Sequence, residues 1–392
     1  VVAHARQLVL HHEMDVTLVL AREQEVAHWE YEHLPHLHVA SLADARQDHF
    51  DIVVATWWET VFSLFAVPAD RYAYFVQSIE DRFYKPEHGA ERLGAALSLD
   101  LPVAFITEAT WIRDTLAELR PDARCLLVPN GVDKDVFTVA DDVEPNIDGP
   151  LRVLVEGNAN VWFKGVNDAI AAARAMSEPK RLTVVAPTRD GLDARGADAV
   201  IGPLSQRALA DVYAETDVVL KLSTVEGMYG PPLEGFHKGA TCVTTEVTGH
   251  EEYIEHGHNA LLTDWGDEHG TARQLDLLAR DRDLLQTLRT NALATARGWP
   301  SWEEASAAMA EALRSIVSGP APSPYDHMQR LLADVQTGLE TRRLELHYIR
   351  ALEVKAHRWE RIRALPGVGI LARLRFSAAG RRAAQRLRRA RG

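Results

Sequence analysis

Cysteine is nearly absent: only Cys125 and Cys242 occur in 392 residues. Each lies in an apolar run with strand character, CLLVP and ATCVTT, so neither a disulfide framework nor a thiolate zinc cluster is suggested, and the usage fits a reducing cytoplasm. No apolar run approaches the roughly 18 residues of a membrane-spanning helix, which excludes that class of integral protein. The opening VVAHARQLVLHHEMDVTLVL has no initiator Met and no signal-peptide layout; it reads as a helix leading into a strand, with the beginning expected to be missing. Positive charge is scarce over most of the chain. The net charge is −13, yet residues 341–392 hold fifteen Arg or Lys against three Glu, so the body alone is near twice as acidic as the whole. An acidic body argues against nucleic acid, which needs a basic surface.

What the sequence does contain is alternation. Residues 14–20, 51–56, 72–77, 102–107 and 124–129 are short apolar runs separated by polar or helix-period segments. A second series follows at 151–157, 181–187, 197–204, 216–223, 240–246 and 259–263. Such alternation predicts an α/β fold with two Rossmann-like, doubly wound halves facing a cleft. PNGVDKDVFTVADDVEPNIDGP between them has linker composition, placing the boundary near 131–150. The expected domains are 1–135, 136–318 and a helical basic extension over 319–392, including one long helix at 325–363. Ser301 reads as the cap of a helix with glutamates in its first turn. The basic stretch 367–392, with Ile370, Leu371, Leu374 and Phe376 among arginines, suits either a solvated tail or an anionic membrane surface, hence a cytoplasmic or peripheral location.

The chemistry concentrates in TDVVLKLSTVEGMYGPPLEGFHKG. A strand ends near Ser223, a turn holding Gly227, Met228, Tyr229 and Gly230 follows, and Pro231-Pro232 stand where a helix starts. Backbone amides of that turn and the helix N-terminus would face the crevice at the strands' carboxyl ends, where a diphosphate can dock. Glu226 and Glu234 flank the turn. Glu234, read as lying in the helix's first turn and ionised, can accept from both hydroxyls of a ribose, and Glu226 can do so for sugar hydroxyls. Two glutamates eight residues apart are by themselves common in an acidic chain.

EGMYGPPLE resembles the E-x7-E element of retaining GT-B glycosyltransferases of family four. GNANVWFKGVNDAIAAA is similar to that family's donor-domain opening, VPNGVDKDVF to its inter-domain segment, and the resemblance covers about residues 124–316 in the family's order. It implies transfer of a sugar from a nucleotide-diphosphate co-substrate to a growing glycan or lipid-linked acceptor, retaining and without metal or other cofactor. YAYFVQSIEDRFY is similar to bacterial rhamnosyltransferases, implying dTDP-L-rhamnose first and UDP or GDP sugars as alternatives. Lys164 matches the lysine that contacts the diphosphate; a preplaced cation offsets the charge growing on that leaving group. Asn158 stands where relatives commonly carry Arg, with Asn160 or Lys221 as candidate replacements. Gln77 aligns where many relatives have His, and Glu80 and Asp81 are then the nearest carboxylates on that side. Relatives begin with a strand and a glycine-rich loop, after which this chain is expected to start.

Other signals are set aside. Asp133-Lys134-Asp135 and Asp281-Arg282-Asp283 follow no strand at a crevice, so no metal role is assigned. His28, His33, His36 and His38, and His250, His256 and His258, read as solvent-facing loop residues rather than zinc ligands. Two other readings share the residues. One is a nucleotide-sugar epimerase, which needs acid–base groups that the sequence does not single out; the other is a non-catalytic glycan- or nucleotide-binding module, which Asn158 and Gln77 would suit.

Overall fold

The computed structural model describes residues 1–22, 37–143, 149–320 and 347–349. Contacts divide the chain into Val1–Met328 and Gln329–Gly392; of the second unit only the helical residues 347–349 are described. The expected long helix at 325–363, the basic stretch 367–392 and nearly all of the expected extension therefore lie outside the described residues.

The first half runs α1 (Val2–His11), β1 (Thr17–Leu20), β2 (His38–Ser41), α2 (Leu42–Ala45), β3 (Phe50–Ala55), α3 (Trp58–Val61), β4 (Ala69–Val76), α4 (Gly89–Ser98), β5 (Ala104–Thr107), α5 (Thr110–Leu119) and β6 (Cys125–Leu127). Strands β3 to β6 form one parallel sheet in chain order, and β1 and β2 form a separate parallel pair. Between β1 and β3 lies a cavity of about 1860 Å³, lined along its length by residues 17–20 and 50–54.

The second half contains β7 (Leu151–Glu156), α6 (Val166–Arg174), β8 (Lys180–Val185), β9 (Ala199–Ile201), α7 (Gln206–Ala214), β10 (Val218–Lys221), α8 (Gly230–His237), β11 (Thr241–Thr245), β12 (Ala260–Thr263), α9 (Glu268–Arg280), α10 (Arg282–Gly298) and α11 (Trp302–Ser318). Its six parallel strands lie in the order β12-β11-β10-β7-β8-β9. The chain winds outward from β7, returns to β10 beside it, and winds outward the other way. A crevice opens at the carboxyl ends of β7 and β10, where successive connections diverge to opposite sides. The fold is the α/β arrangement expected, with parallel sheets in both halves, and the predicted strand runs become β1, β3 to β6 and β7 to β12.

Strands buried on both faces explain the continuous apolar runs: β10 and β11 are buried at every position. At the amino end of the sheet the fully buried Asp217 accepts from the Arg152 backbone and guanidinium (2.6 Å to Nη2), tying β10 to β7. Two features depart from the expected boundaries. Val132, Val136 and Phe137 of the presumed linker are buried in the second half's core, with Tyr213 and Phe236. Helix α11, assigned by sequence to the second domain, packs Met309, Ala310, Leu313 and Ile316 against Leu8, Phe75 and Ile106 of the first. Its start is a capping box: Ser301 Oγ accepts from Glu304 N, and Ser301 N donates to the Glu304 carboxylate.

Candidate active site

The site forms where β7 and β10 end. After β7 the chain turns through Gly157-Asn158, and Asn158 Oδ1 accepts from the Asn160 amide at 3.0 Å, bracing the loop that leads to Trp162-Phe163-Lys164. Gly165 then adopts φ +60°, and a Cβ there would lie 2.0 Å from the Leu222 carbonyl oxygen. Only glycine combines that left-handed conformation with such an approach. The contact presses Lys164 onto the segment following β10. Its Nζ donates to both carboxylate oxygens of Glu226, at 2.9 and 2.8 Å. Glu226 is 7% exposed while Lys164 keeps partial exposure, so the charge-assisted contact pairs a buried carboxylate with an ammonium that still reaches the cleft.

Glu226 is fixed through its backbone as well. Its carbonyl accepts from Thr248 Oγ1 at 3.2 Å and from Ser78 Oγ, across the cleft, at 3.5 Å. Gly227 sits against the first half: its carbonyl accepts from Trp111 Nε1 at 2.9 Å, and a Cβ would fall 1.7 Å from the Gln77 carbonyl oxygen. The Met228 amide donates to Glu108. Gly230 opens α8 and faces open space, with Pro231 and Pro232 next in the first turn, as their missing amides permit.

Several assigned residues occupy other positions than the sequence suggested. Glu234 is the fifth residue of α8 rather than a first-turn acid, and burial, with Glu156 nearby, pushes its carboxyl up to about 7 instead of the helix dipole holding it ionised. It keeps partial exposure, beside Tyr213 and Lys221. Lys221 is 4% exposed and sits beneath the site against the Glu156 carboxylate at 3.3 Å; burial opposes its charge, but Glu156, Glu226 and Glu234 together keep its pKa above the usual lysine value. Tyr229 is fully buried, its hydroxyl donating to the Lys221 carbonyl, so only its backbone can face a ligand. Gln77 donates Nε2 to the Thr56 carbonyl at 2.8 Å. Glu80 is turned inward: at 3% exposure it accepts from the Trp58 amide at 2.7 Å at the start of α3, and burial raises its pKa to about 7. Asp81 pairs with Arg92 at 3.2 Å. His250 is buried rather than solvent-facing, hydrogen-bonded through Nδ1 to the Val247 carbonyl, whereas His28, His33 and His36 lie outside the described residues. Asp133 accepts from the amides of Asp135 and Val136, and Asp281 caps α10; both acids thus organise local backbone.

Sequence reading missed two groups. Glu108, at the carboxyl end of β5, is buried between Asn130 and Met228; its only signal was a lone acid directly after an apolar run. An aromatic stack also crosses the cleft mouth, Trp57 over Phe83 at 5.9 Å and Phe83 over Phe163 at 5.1 Å, with Trp162 Nε1 donating to the Phe83 carbonyl.

Residues 150–281 match the family described as glycosyl transferases group 1. N-acetyl-alpha-D-glucosaminyl L-malate synthase of Bacillus anthracis is 34% identical over 87 residues, 22% of this chain, and the match spans only 23% of that enzyme's length. The whole fold is similar to sucrose-phosphate synthase from Thermosynechococcus elongatus, with a TM-score of 0.65 and 14% identity over 80% of this chain and 91% of that one. It is likewise similar to HepE of Anabaena, solved in complex with UDP and glucose, with a TM-score of 0.63 and 18% identity over 80% and 94%. A glycosyltransferase from Rickettsia africae gives a TM-score of 0.61 at 12% identity over 81% and 94%. The fold thus resembles that of GT-B glycosyltransferases such as sucrose-phosphate synthase, and the segment that matches the glycosyl transferases group 1 model lies in the second half.

Proposed function

We propose that the chain is a glycosyltransferase that moves a sugar from a nucleotide diphosphate to a growing glycan, with retention of anomeric configuration and without a metal. The observation that carries this reading is the Lys164–Glu226 pair at the switch point between β7 and β10, beside the Gly227–Gly230 turn that opens α8. A diphosphate entering there competes with Glu226 for the ammonium of Lys164, and the freed carboxylate turns to the hydroxyls of the transferred sugar. As the sugar–phosphate bond breaks, the negative charge growing on the diphosphate meets a fixed cation and the amino end of α8, both in place beforehand. Glu234, whose pKa burial raises to about 7, accepts from the ribose hydroxyls as the carboxylate. That HepE is solved with UDP and glucose supports a nucleotide-sugar donor. The rhamnosyl reading, with dTDP-L-rhamnose as donor, rests on the resemblance of residues 72–84 and of EGMYGPPLEGFHKG at 226–239.

Calorimetry with dTDP and UDP on wild type and Glu234→Ala, followed by transfer assays with a panel of nucleotide sugars, tests the reading. Nucleotide affinity is expected to fall about tenfold or more in the variant, the loss of one good hydrogen bond to a charged group. Equal affinities in the two proteins remove the ribose role, and no transfer from any donor removes the activity.

A further inference from the structure

Across the cleft from Lys164 stands a carboxylate outside the donor-binding set. Glu108 follows β5 of the first half and is 6% exposed. One carboxylate oxygen accepts from the Met228 amide at 3.1 Å, and the other accepts from Asn130 Nδ2 at 2.6 Å. Met228 lies two residues beyond Glu226 in the turn that opens α8, and Asn130 begins the connection between the halves. A single side chain therefore joins the first half's sheet, the inter-domain connection and the donor turn. Trp111 and Gln77 hold the same turn from the same side, at the Gly227 carbonyl and at the Gly227 α-carbon.

We propose that Glu108 is a positioning residue for sugar transfer: by holding the Met228 amide it sets the turn so that the Glu226 carboxylate reaches Lys164 and the later amides face the cleft. This rests on the glycosyltransferase reading. A carboxylate so desolvated is costly to keep unless both oxygens are bonded, and here both are. Burial, the largest influence, pushes its pKa up to about 7 although Asn130 and Met228 favour the charged form, so the group is kept at an energetic disadvantage. Glutamine in its place can still accept from Met228 through its carbonyl oxygen, and the Asn130 amide can rotate to accept from its amino group.

The test uses the full chain labelled with 15N-methionine, which contains five methionines; Met228→Leu identifies the Met228 amide signal. Glu108→Ala is expected to move that signal while the other four stay in place, and Glu108→Gln to bring it back towards the wild-type position. With a nucleotide sugar that supports transfer, Glu108→Ala should lower kcat about 100-fold and raise KM by a smaller factor, because the shifted turn misaligns the Glu226–Lys164 pair more than it removes the amides that receive the diphosphate. Glu108→Gln should recover most of kcat. If Glu108→Ala does not fold, Glu108→Asp keeps the charge but withdraws it by one methylene, and the same signals are read. An unmoved Met228 signal, or a wild-type kcat in the Ala or Asp variant, overturns the proposal. If the wild type binds no nucleotide diphosphate, the glycosyltransferase reading fails, while the Met228 signal still decides whether Glu108 sets the turn.

Discussion

Replacing Gly227 with alanine isolates how closely the halves must meet. A Cβ at that position would lie 1.7 Å from the Gln77 carbonyl oxygen, 2.9 Å from its carbon and 3.1 Å from a Glu108 oxygen. The obstacle is backbone, which cannot swing aside as a flexible side chain could, so the two surfaces must part by about 1 Å or more to admit the methyl. That displacement stretches the Trp111–Gly227 bond of 2.9 Å, the Glu108–Met228 bond of 3.1 Å and the Ser78–Glu226 bond of 3.5 Å, all of which cross the same gap. The clash and the stretched bonds cost about 1–3 kcal/mol of stability, so the melting temperature should fall by several degrees while the chain stays folded. A misplacement of that size costs about 100-fold in rate, or roughly 2.7 kcal/mol of barrier. The assay is steady-state transfer from a nucleotide sugar, with nucleotide affinity measured separately by calorimetry; kcat should fall about 100-fold, and affinity, which the amides of the same turn serve, by a smaller factor. Gly89→Ala makes the same chemical change where a Cβ meets nothing within 4 Å, and should match wild type in all three measurements. A Gly227→Ala enzyme with kcat within twofold of wild type would refute the reasoning, since the halves would then not need this contact.

Two further outcomes can be checked. Glu108 has a folded pKa of about 7, above that of an ordinary carboxyl in the unfolded chain, so from about pH 4.5 to 7 the folded chain holds the extra proton and stability falls as pH rises. His4 and His237, lowered by burial to about 3 and about 4, act in the opposite sense below about pH 6.5. Comparing wild type with Glu108→Gln cancels them: the stability difference should move in the variant's favour by up to about 1.4 kcal/mol per pH unit across that window, read by denaturant melts, and a constant difference would contradict the raised pKa. The basic stretch 367–392 predicts salt-sensitive attachment to anionic membranes, at roughly 1 kcal/mol per basic residue near the surface. In liposome flotation at low salt the whole chain should float and a chain ending at Pro366 should not; equal partition of the two would dismiss the membrane surface.

Much of this was legible in the sequence because its determinants are local. A strand covered on both faces reads as a short, mostly apolar or β-branched run without polar alternation, so β10 and β11 announce themselves as VVLK and TCVTT, and prolines after a glycine turn mark the start of α8. Glu226 could be singled out because it follows a strand with a glycine beside it, and Lys164 through the resemblance of its segment to a family's donor-domain opening. Their pairing at 2.8 Å could not, because 62 residues separate them and only the winding of β7 and β10 side by side brings them together. Tertiary structure alone decided which polar residues face inward: Tyr229, Lys221 and Glu80 share the sequence neighbourhoods of cleft residues, yet their side chains are buried, the first two beneath the donor turn and Glu80 at the start of α3. It also decided that α11 crosses to the first half and that Glu108 grips a turn 120 residues away. Periodicity and turn chemistry act over a few residues and so remain visible in the sequence, whereas burial and partnership depend on what the folded chain places opposite each side chain.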